Sequence, residues 1–140
     1  MRCGVMKKIT MAFICFCSTL SLLYTAMNYK VNGDAFQKDP QIILEIYEDL
    51  PIPECTKEVK KKDKSRPRSS VFLKVYYYTE LSNEQIMNFY VEQFTKRGWK
   101  QIEYKGGIGV LFKKDDWKIA VNKGEENYSL EIFKFYGVAD

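Results

Sequence analysis

The chain of 140 residues contains no histidine. Ser-His-Asp and Cys-His catalytic arrangements use an imidazole as the general base, and many zinc sites use it as a ligand. Its absence therefore excludes these hydrolase arrangements and every histidine-ligated metal site. We expect a protein that is not an enzyme, with no catalytic residue, no metal and no cofactor. A small enzyme that uses carboxylates or Cys55 is the alternative.

Acidic residues are also absent from the start of the chain, where Asp34 is the first of them. Arg2, Lys7 and Lys8 precede an uncharged, mostly apolar run over residues 9–27. A membrane-spanning helix needs about 20 apolar residues and a signal-peptide core about 7–15. Residues 1–27 are therefore predicted to be a transmembrane anchor, with the membrane as partner through residues 9–27, or a cleaved export signal.

The charge distribution gives the expected location and bounds the partners. Basic residues before an apolar run favour an N-terminus inside the cell, so the remainder is expected outside the cytosol, in the periplasm or on the cell surface, or secreted if cleaved. The chain carries 22 basic and 18 acidic residues, and four of the basic ones lie at or before Lys30. The chain after Lys30 therefore has 18 basic and 18 acidic residues and is neutral, and we expect no nucleic-acid partner.

The remainder is predicted to contain a tether over 28–38 and one extracytoplasmic α+β domain over 39–140. Cysteine is scarce in this domain, because only Cys55 of the four cysteines lies there. No intrachain disulfide is expected, and Cys55 is interpreted as a buried or unpaired thiol. An intermolecular disulfide and a reactive thiol are the alternatives.

Two helices are predicted in the domain. Asp39 and Pro40 are typical of a helix N-cap and first position, and the apolar spacing that follows predicts a short helix ending near Leu50. Ser82 and Gln85 form a capping box at the start of a second helix. Gly98, directly after Arg97, is expected to end that helix in the left-handed conformation.

The strands are predicted from β-branched and aromatic runs bounded by turn residues. One strand precedes the second helix and four follow it: Val71–Thr79, Trp99–Tyr104, Ile108–Lys113, Trp117–Asn122 and Tyr128–Tyr136. The short connections require antiparallel pairing. The expected architecture is therefore a strand, a helix and a four-stranded antiparallel meander, with one helix packed on a face of the sheet.

Residues 56–70 are polar and charged, with seven basic and two acidic side chains and a net charge of +5. This composition predicts a solvated basic loop, and an anionic partner is the functional alternative. Three consecutive tyrosines over 76–78 require at least one ring to point away from the core. The candidate partner-binding residues are Lys60, Lys61, Lys62, Lys64, Arg66, Arg68, Tyr76 and Tyr78.

The segment from Val75 to Tyr104 places a tyrosine-rich strand before a Ser-capped helix, then Gly98-Trp99 and another strand. This pattern, with Leu50–Glu54 ahead of it, resembles small exported bacterial α+β domains of the lipoprotein or membrane-anchored type, which are uncharacterised. The resemblance implies a fold and a location, but it implies no activity and no site residue.

Taken together, these features predict a non-enzymatic, membrane-anchored extracytoplasmic binding domain. The expected partner is a protein or an anionic component of the cell envelope. A periplasmic immunity-type inhibitor that covers the active site of a toxin is a more specific alternative, because the size and the expected location permit it.

Overall fold

The computed structural model describes residues 3–104, 109–124 and 127–137. The elements in these residues are α1 Cys3–Glu48, β1 Thr56–Asp63, β2 Ser70–Thr79, α2 Asn83–Lys96, β3 Lys100–Ile102, β4 Gly109–Lys114, β5 Trp117–Lys123 and β6 Asn127–Phe135. The chain divides into two compact units, Met1–Gln37 and Lys38–Asp140. Arg2, Ile108 and the turn expected at 105–107 lie outside the described residues.

The first unit consists of the N-terminal part of α1. Apolar side chains such as Phe13, Leu22 and Met27 are exposed along it. Ser18, Thr19 and Thr25 donate hydroxyl hydrogen bonds to backbone carbonyls three or four residues earlier. Within the described part of the chain, no helix offers a stretch that is long and apolar enough to cross a membrane. The expected transmembrane helix over 9–27 is therefore wrong, since hydroxyl side chains interrupt the apolar run and Asn28 and Lys30 follow closely after it.

The helix boundaries near Asp39 also differ from the expectation. Residues 28–38, expected as a tether, are helical, and Pro40 lies inside α1. Asp39 is buried and lies 2.9 Å from Lys134 Nζ through its Oδ2 atom, so its carboxylate binds the sheet and does not cap a helix. The short separate helix is thus the C-terminal part of a longer one.

The second unit is built on an antiparallel sheet of six strands in the order β1-β2-β6-β5-β4-β3. The α+β class is as expected. The expected sheet, with one strand before the helix and a four-stranded meander after it, is wrong in its number of strands. Residues 56–63, expected in a loop, form β1, which pairs with β2 from Thr56 opposite Thr79 to Asp63 opposite Leu73.

One face of the sheet, called here the inner face, carries the core. Val75 pairs with Leu130 across β2 and β6, and Ile119 pairs with Ile132 across β5 and β6. All four side chains are fully buried. Helix α2 packs against β3, β4 and β5 through Ile86, Tyr90 and Phe94, while Ile43 of α1 is also buried.

Both ends of α2 follow the sequence expectation. Ser82 accepts a hydrogen bond from the Gln85 backbone N–H, and the Gln85 side chain accepts one from the Ser82 backbone. At the other end, Gly98 has φ of +81°, a conformation that costs a residue with a side chain about 1–2 kcal/mol. The backbone N–H of Trp99 donates to the Phe94 carbonyl, and their rings lie 5.9 Å apart. This turn places Trp99 against the core.

Candidate functional site

Strand β1 lies at one edge of the sheet, with β2 as its neighbour among the described strands. Its pairing with β2 is irregular between Glu58 and Lys60, where Val59 is an extra, exposed residue. Beyond this bulge the register is regular from Lys60 to Asp63. Every residue of β1 after Thr56 is exposed. The sequence signal that could have indicated this strand was weak, because lysine has a low strand propensity.

Alternation along β1 separates its lysines into two groups. Lys60 pairs with Tyr76 and Lys62 pairs with Lys74, so these side chains share the sheet face opposite the core, called here the outer face. Residues two apart on a strand point the same way and lie about 6.7 Å apart. The outer face of this edge therefore carries cations at a regular spacing.

The rings and charges next to these lysines hold the strand pair together. Lys62 Nζ lies 5.9 Å and Lys74 Nζ lies 5.1 Å from the centroid of the Tyr76 ring. Lys74 also donates to Glu131 at 2.7 Å. Partial burial lowers the pKa of Lys74, but the Glu131 carboxylate outweighs it, so the pKa is raised and the ammonium stays charged. Two ammonium groups thus lie within 6 Å of the Tyr76 ring centroid.

Lys61 points to the inner face, away from Lys60 and Lys62. Its Nζ atom lies 4.3 Å from the centroid of the Tyr47 ring in α1. The Tyr47 hydroxyl donates to Glu58 at 2.6 Å, and this hydrogen bond, together with burial and the Glu58 charge, raises the pKa of Tyr47 to about 12. Lys61 therefore contributes to the packing of α1 against β1. The structure does not group it with the other candidate binding lysines.

The remaining candidates lie on the hairpin between β1 and β2. The Lys64 N–H donates to the Phe72 carbonyl, and the Ser69 N–H donates to the Arg66 carbonyl across the tip. Arg68 has φ of +60°, in the left-handed region that glycine occupies more easily. Lys64, Arg66 and Arg68 are all exposed. The hairpin therefore extends the line of cations beyond the end of β1.

Tyr78 and the last strand complete the outer face. Tyr78 is 46% exposed and pairs with Lys57. The rings of Phe72 and Phe133 stack with centroids 5.6 Å apart, and Phe135 is 62% exposed beside them. The outer face thus combines exposed aromatic rings with the lysines of β1. We use the name basic edge for Lys60, Lys62, Lys64, Arg66 and Arg68.

A second feature, which the sequence did not indicate, is a cavity on the inner face between the C-terminal parts of α1 and α2. It has a volume of about 300 Å³ and apolar walls from α1, α2, β5 and the turns beside the helices, including Ile46, Phe94, Trp99 and Trp117. Each of these side chains has the periodicity of an ordinary core residue. Their convergence depends on how α1 packs, and no local pattern reports that packing.

A third cluster surrounds the Lys134 ammonium, which is 15% exposed. Its Nζ atom lies 2.9 Å from Asp39 and 3.7 Å from Asp116, and within 6 Å of the ring centroids of Trp117 and Tyr136. Burial and the Asp39 carboxylate raise the pKa of Tyr136. The ion pair joins α1 to β6, so this cluster is a packing element of the domain.

Other chemistry in the described residues is limited. Cys55 is exposed with φ of +60°, and its carbonyl accepts a hydrogen bond from the Thr79 hydroxyl. Across residues 3–104, 109–124 and 127–137, no group of three or more cysteine or carboxylate side chains is arranged to hold a metal ion. The alternative of an enzyme that uses carboxylates or Cys55 stays a prediction.

The fold defines the class of the second unit as an α+β domain with a six-stranded antiparallel sheet covered by helices on its inner face. No family model, curated protein or solved structure matches the chain. The resemblance to exported bacterial domains, and the location outside the cytosol that it implies, stay predictions.

Proposed function

We propose that the protein is a non-catalytic binding domain that takes up an acidic, extended segment of a partner protein along β1. The observation that carries this proposal is the position of β1 at the sheet edge with Lys60 and Lys62 on one face. An edge strand presents a row of backbone N–H and C=O groups to which another strand can add. The partner strand pairs with the regular stretch Lys60–Asp63, beyond the bulge.

Charge complementarity selects the partner. A strand added to β1 places every second side chain on the outer face, with the same spacing as Lys60 and Lys62. Glutamate or aspartate at alternate positions of the partner then lies opposite these ammonium groups. Arg66 and Arg68 extend the positive field toward the hairpin tip. The partner is therefore an acidic segment with alternating carboxylates, and it pairs through both its backbone and its charges.

Lysines on an edge strand also have a purely protective use, because they prevent strands of neighbouring molecules from pairing. An anionic polymer of the envelope is a third occupant, attracted by charge without strand pairing. The three cases differ in what they require of a peptide. Only strand addition needs an unblocked backbone and carboxylates at alternate positions.

The test is titration of the full chain with a short capped peptide in which glutamate alternates with threonine, at low ionic strength, with amide NMR shifts as the readout. We expect saturable shifts that begin at Lys60–Asp63 and weaker binding as salt is added. A peptide of the same composition with its glutamates in one block, and an alternating peptide with proline for threonine, should both bind more weakly. Equal binding of all three peptides would overturn strand addition, and no binding would leave edge protection as the role of the lysines.

Charge reversal on β1 tests the role of the lysines, and the same reversal elsewhere in the sheet is the matched control. In the double variant Lys60→Glu/Lys62→Glu, two attractions become two repulsions of about 0.5 kcal/mol each, so affinity should fall by about 2 kcal/mol, or about thirtyfold. The control Lys100→Glu/Lys113→Glu makes the same charge change at the opposite sheet edge, where these two residues pair. A similar loss in the control would show that net charge, and not the basic edge, determines binding.

A further inference from the structure

The cavity between α1 and α2 has the size and lining of a small-molecule site. Its volume of about 300 Å³ lies at the lower end of the range of about 300–1,000 Å³ usual for ligand pockets. Phe94, Trp99 and Trp117 line it with three aromatic side chains. An apolar side chain of the size of a single aromatic ring fits such a space.

The polar groups of this cavity lie at its rim. The Arg97 guanidinium donates to both the backbone carbonyl and the carboxylate of Asp49, with the carboxylate at 3.0 Å, so these two charges neutralise each other. Lys114 Nζ donates to the Arg97 carbonyl at 3.0 Å, which leaves two of its three N–H groups for another acceptor. Asp115 follows Lys114 in the chain. Its side chain is exposed, and its backbone has φ of +52°.

The rim therefore presents an ammonium group and a carboxylate on consecutive residues beside an apolar space. A ligand with a single charge would meet one attractive and one repulsive group there. A molecule with both charges, close together and next to an apolar body, meets Lys114 with its carboxylate and Asp115 with its ammonium group. We infer that the cavity binds an apolar α-amino acid, with the side chain between the tryptophan rings and the zwitterionic head at Lys114–Asp115.

Both tryptophans of the chain line the cavity, so intrinsic fluorescence reports its occupancy directly. The probes are L-phenylalanine, 3-phenylpropionate, which lacks the ammonium group, and 2-phenylethylamine, which lacks the carboxylate. None of the three contains an indole. We expect a saturable change in tryptophan emission with phenylalanine. Each analogue should bind about fivefold more weakly, since it loses one charge interaction at a partly exposed rim.

Two conservative variants separate the two charges. Lys114→Gln keeps a donor for the Arg97 carbonyl and should weaken the binding of phenylalanine and 3-phenylpropionate about fivefold. Binding of 2-phenylethylamine should not weaken, because its ammonium group loses a repulsive neighbour. Asp115→Asn is compatible with the left-handed backbone. It should weaken the binding of phenylalanine and 2-phenylethylamine, but not that of 3-phenylpropionate. Lys113→Gln is the matched control, because Lys113 is the adjacent lysine and points to the opposite face. Thermal midpoints of the variants check that each one folds.

The outcomes are distinct. Absence of any saturable emission change with phenylalanine overturns the site. Equal affinity for all three probes, or loss of binding in Lys113→Gln as well, overturns the assignment of the zwitterionic head. The cavity does not include the basic edge, so failure here leaves the proposal for β1 untouched, and failure of peptide binding leaves this one untouched.

Discussion

Removal of one hydroxyl from the buried pair Tyr90 and Tyr128 should destabilise the protein at least as much as removal of both. The two phenol oxygens lie 2.9 Å apart, and both side chains are almost completely buried. Tyr90 is on α2 and Tyr128 is on β6, so this hydrogen bond joins the helix to the sheet. Burial raises the pKa of both phenols.

The expected magnitudes follow from the loss of a partner. Tyr90→Phe or Tyr128→Phe removes one hydroxyl and leaves the other buried without this hydrogen bond. This should lower the free energy of unfolding by about 1–3 kcal/mol. The double variant removes both polar groups and keeps both rings, so its cost should lie near that of one single variant or below it. The two substitutions should therefore show a coupling energy of about 1–2 kcal/mol.

Urea denaturation of the full chain, followed by tryptophan fluorescence, measures these free energies of unfolding. At a slope of about 2 kcal/mol per molar urea, a single variant should lose about 1 M in its midpoint. Tyr78→Phe is the control, because it makes the same chemical change on a ring that is 46% exposed; it should stay within about 0.5 kcal/mol. Additive effects of the two buried substitutions would refute the reasoning, since independent hydroxyls do not form a hydrogen bond with each other.

Two further predictions concern the same core. Burial raises the pKa of Tyr77, Tyr90 and Tyr128, so these phenols ionise at a lower pH in the unfolded chain than in the folded protein. The stability that they contribute is complete below about pH 10. Above that pH the free energy of unfolding falls by about 1.4 kcal/mol per pH unit for each phenol. Urea midpoints that stay constant through pH 11 would contradict this. Phe94→Ala should cost about 3–5 kcal/mol, because its ring is buried among Tyr90, Trp99 and Phe112. A measured loss under about 1 kcal/mol, or an equal loss in the exposed control Phe135→Ala, would show that Phe94 is not a core residue.

The parts of the fold that the sequence predicted correctly depend on local chemistry. The capping box of Ser82 and Gln85 and the left-handed Gly98 are each determined by a few neighbouring residues. The alternation of Trp117, Ile119 and Val121 likewise follows directly from a strand whose inner face packs in the core. Short-range patterns of this kind are sufficient without knowledge of the partner elements.

The incorrect predictions concern features that depend on contacts between distant parts of the chain. β1 is rich in lysine and lacks a buried face, so its strand conformation depends on hydrogen bonding with β2. Asp39 has the sequence pattern of an N-cap, but it lies inside α1, and its buried carboxylate pairs with Lys134. The lysines of β1 could be named as candidates, whereas the separation of Lys61 from Lys60 and Lys62 required the register. The cavity could not be predicted at all, because Ile46, Phe94 and Trp117 come from three distant segments.

The sheet order has a consequence for synthesis on the ribosome. β6 lies between β2 and β5 and hydrogen-bonds to both, although it follows the other five strands along the chain. Until residues 127–135 have left the exit tunnel, the β1–β2 hairpin and the β3–β5 meander share no strand. Each nascent half then exposes the sheet edge that β6 later occupies, and an unpaired apolar edge is a site of aggregation. The central gap closes only when β6 pairs with β2 on one side and with β5 on the other.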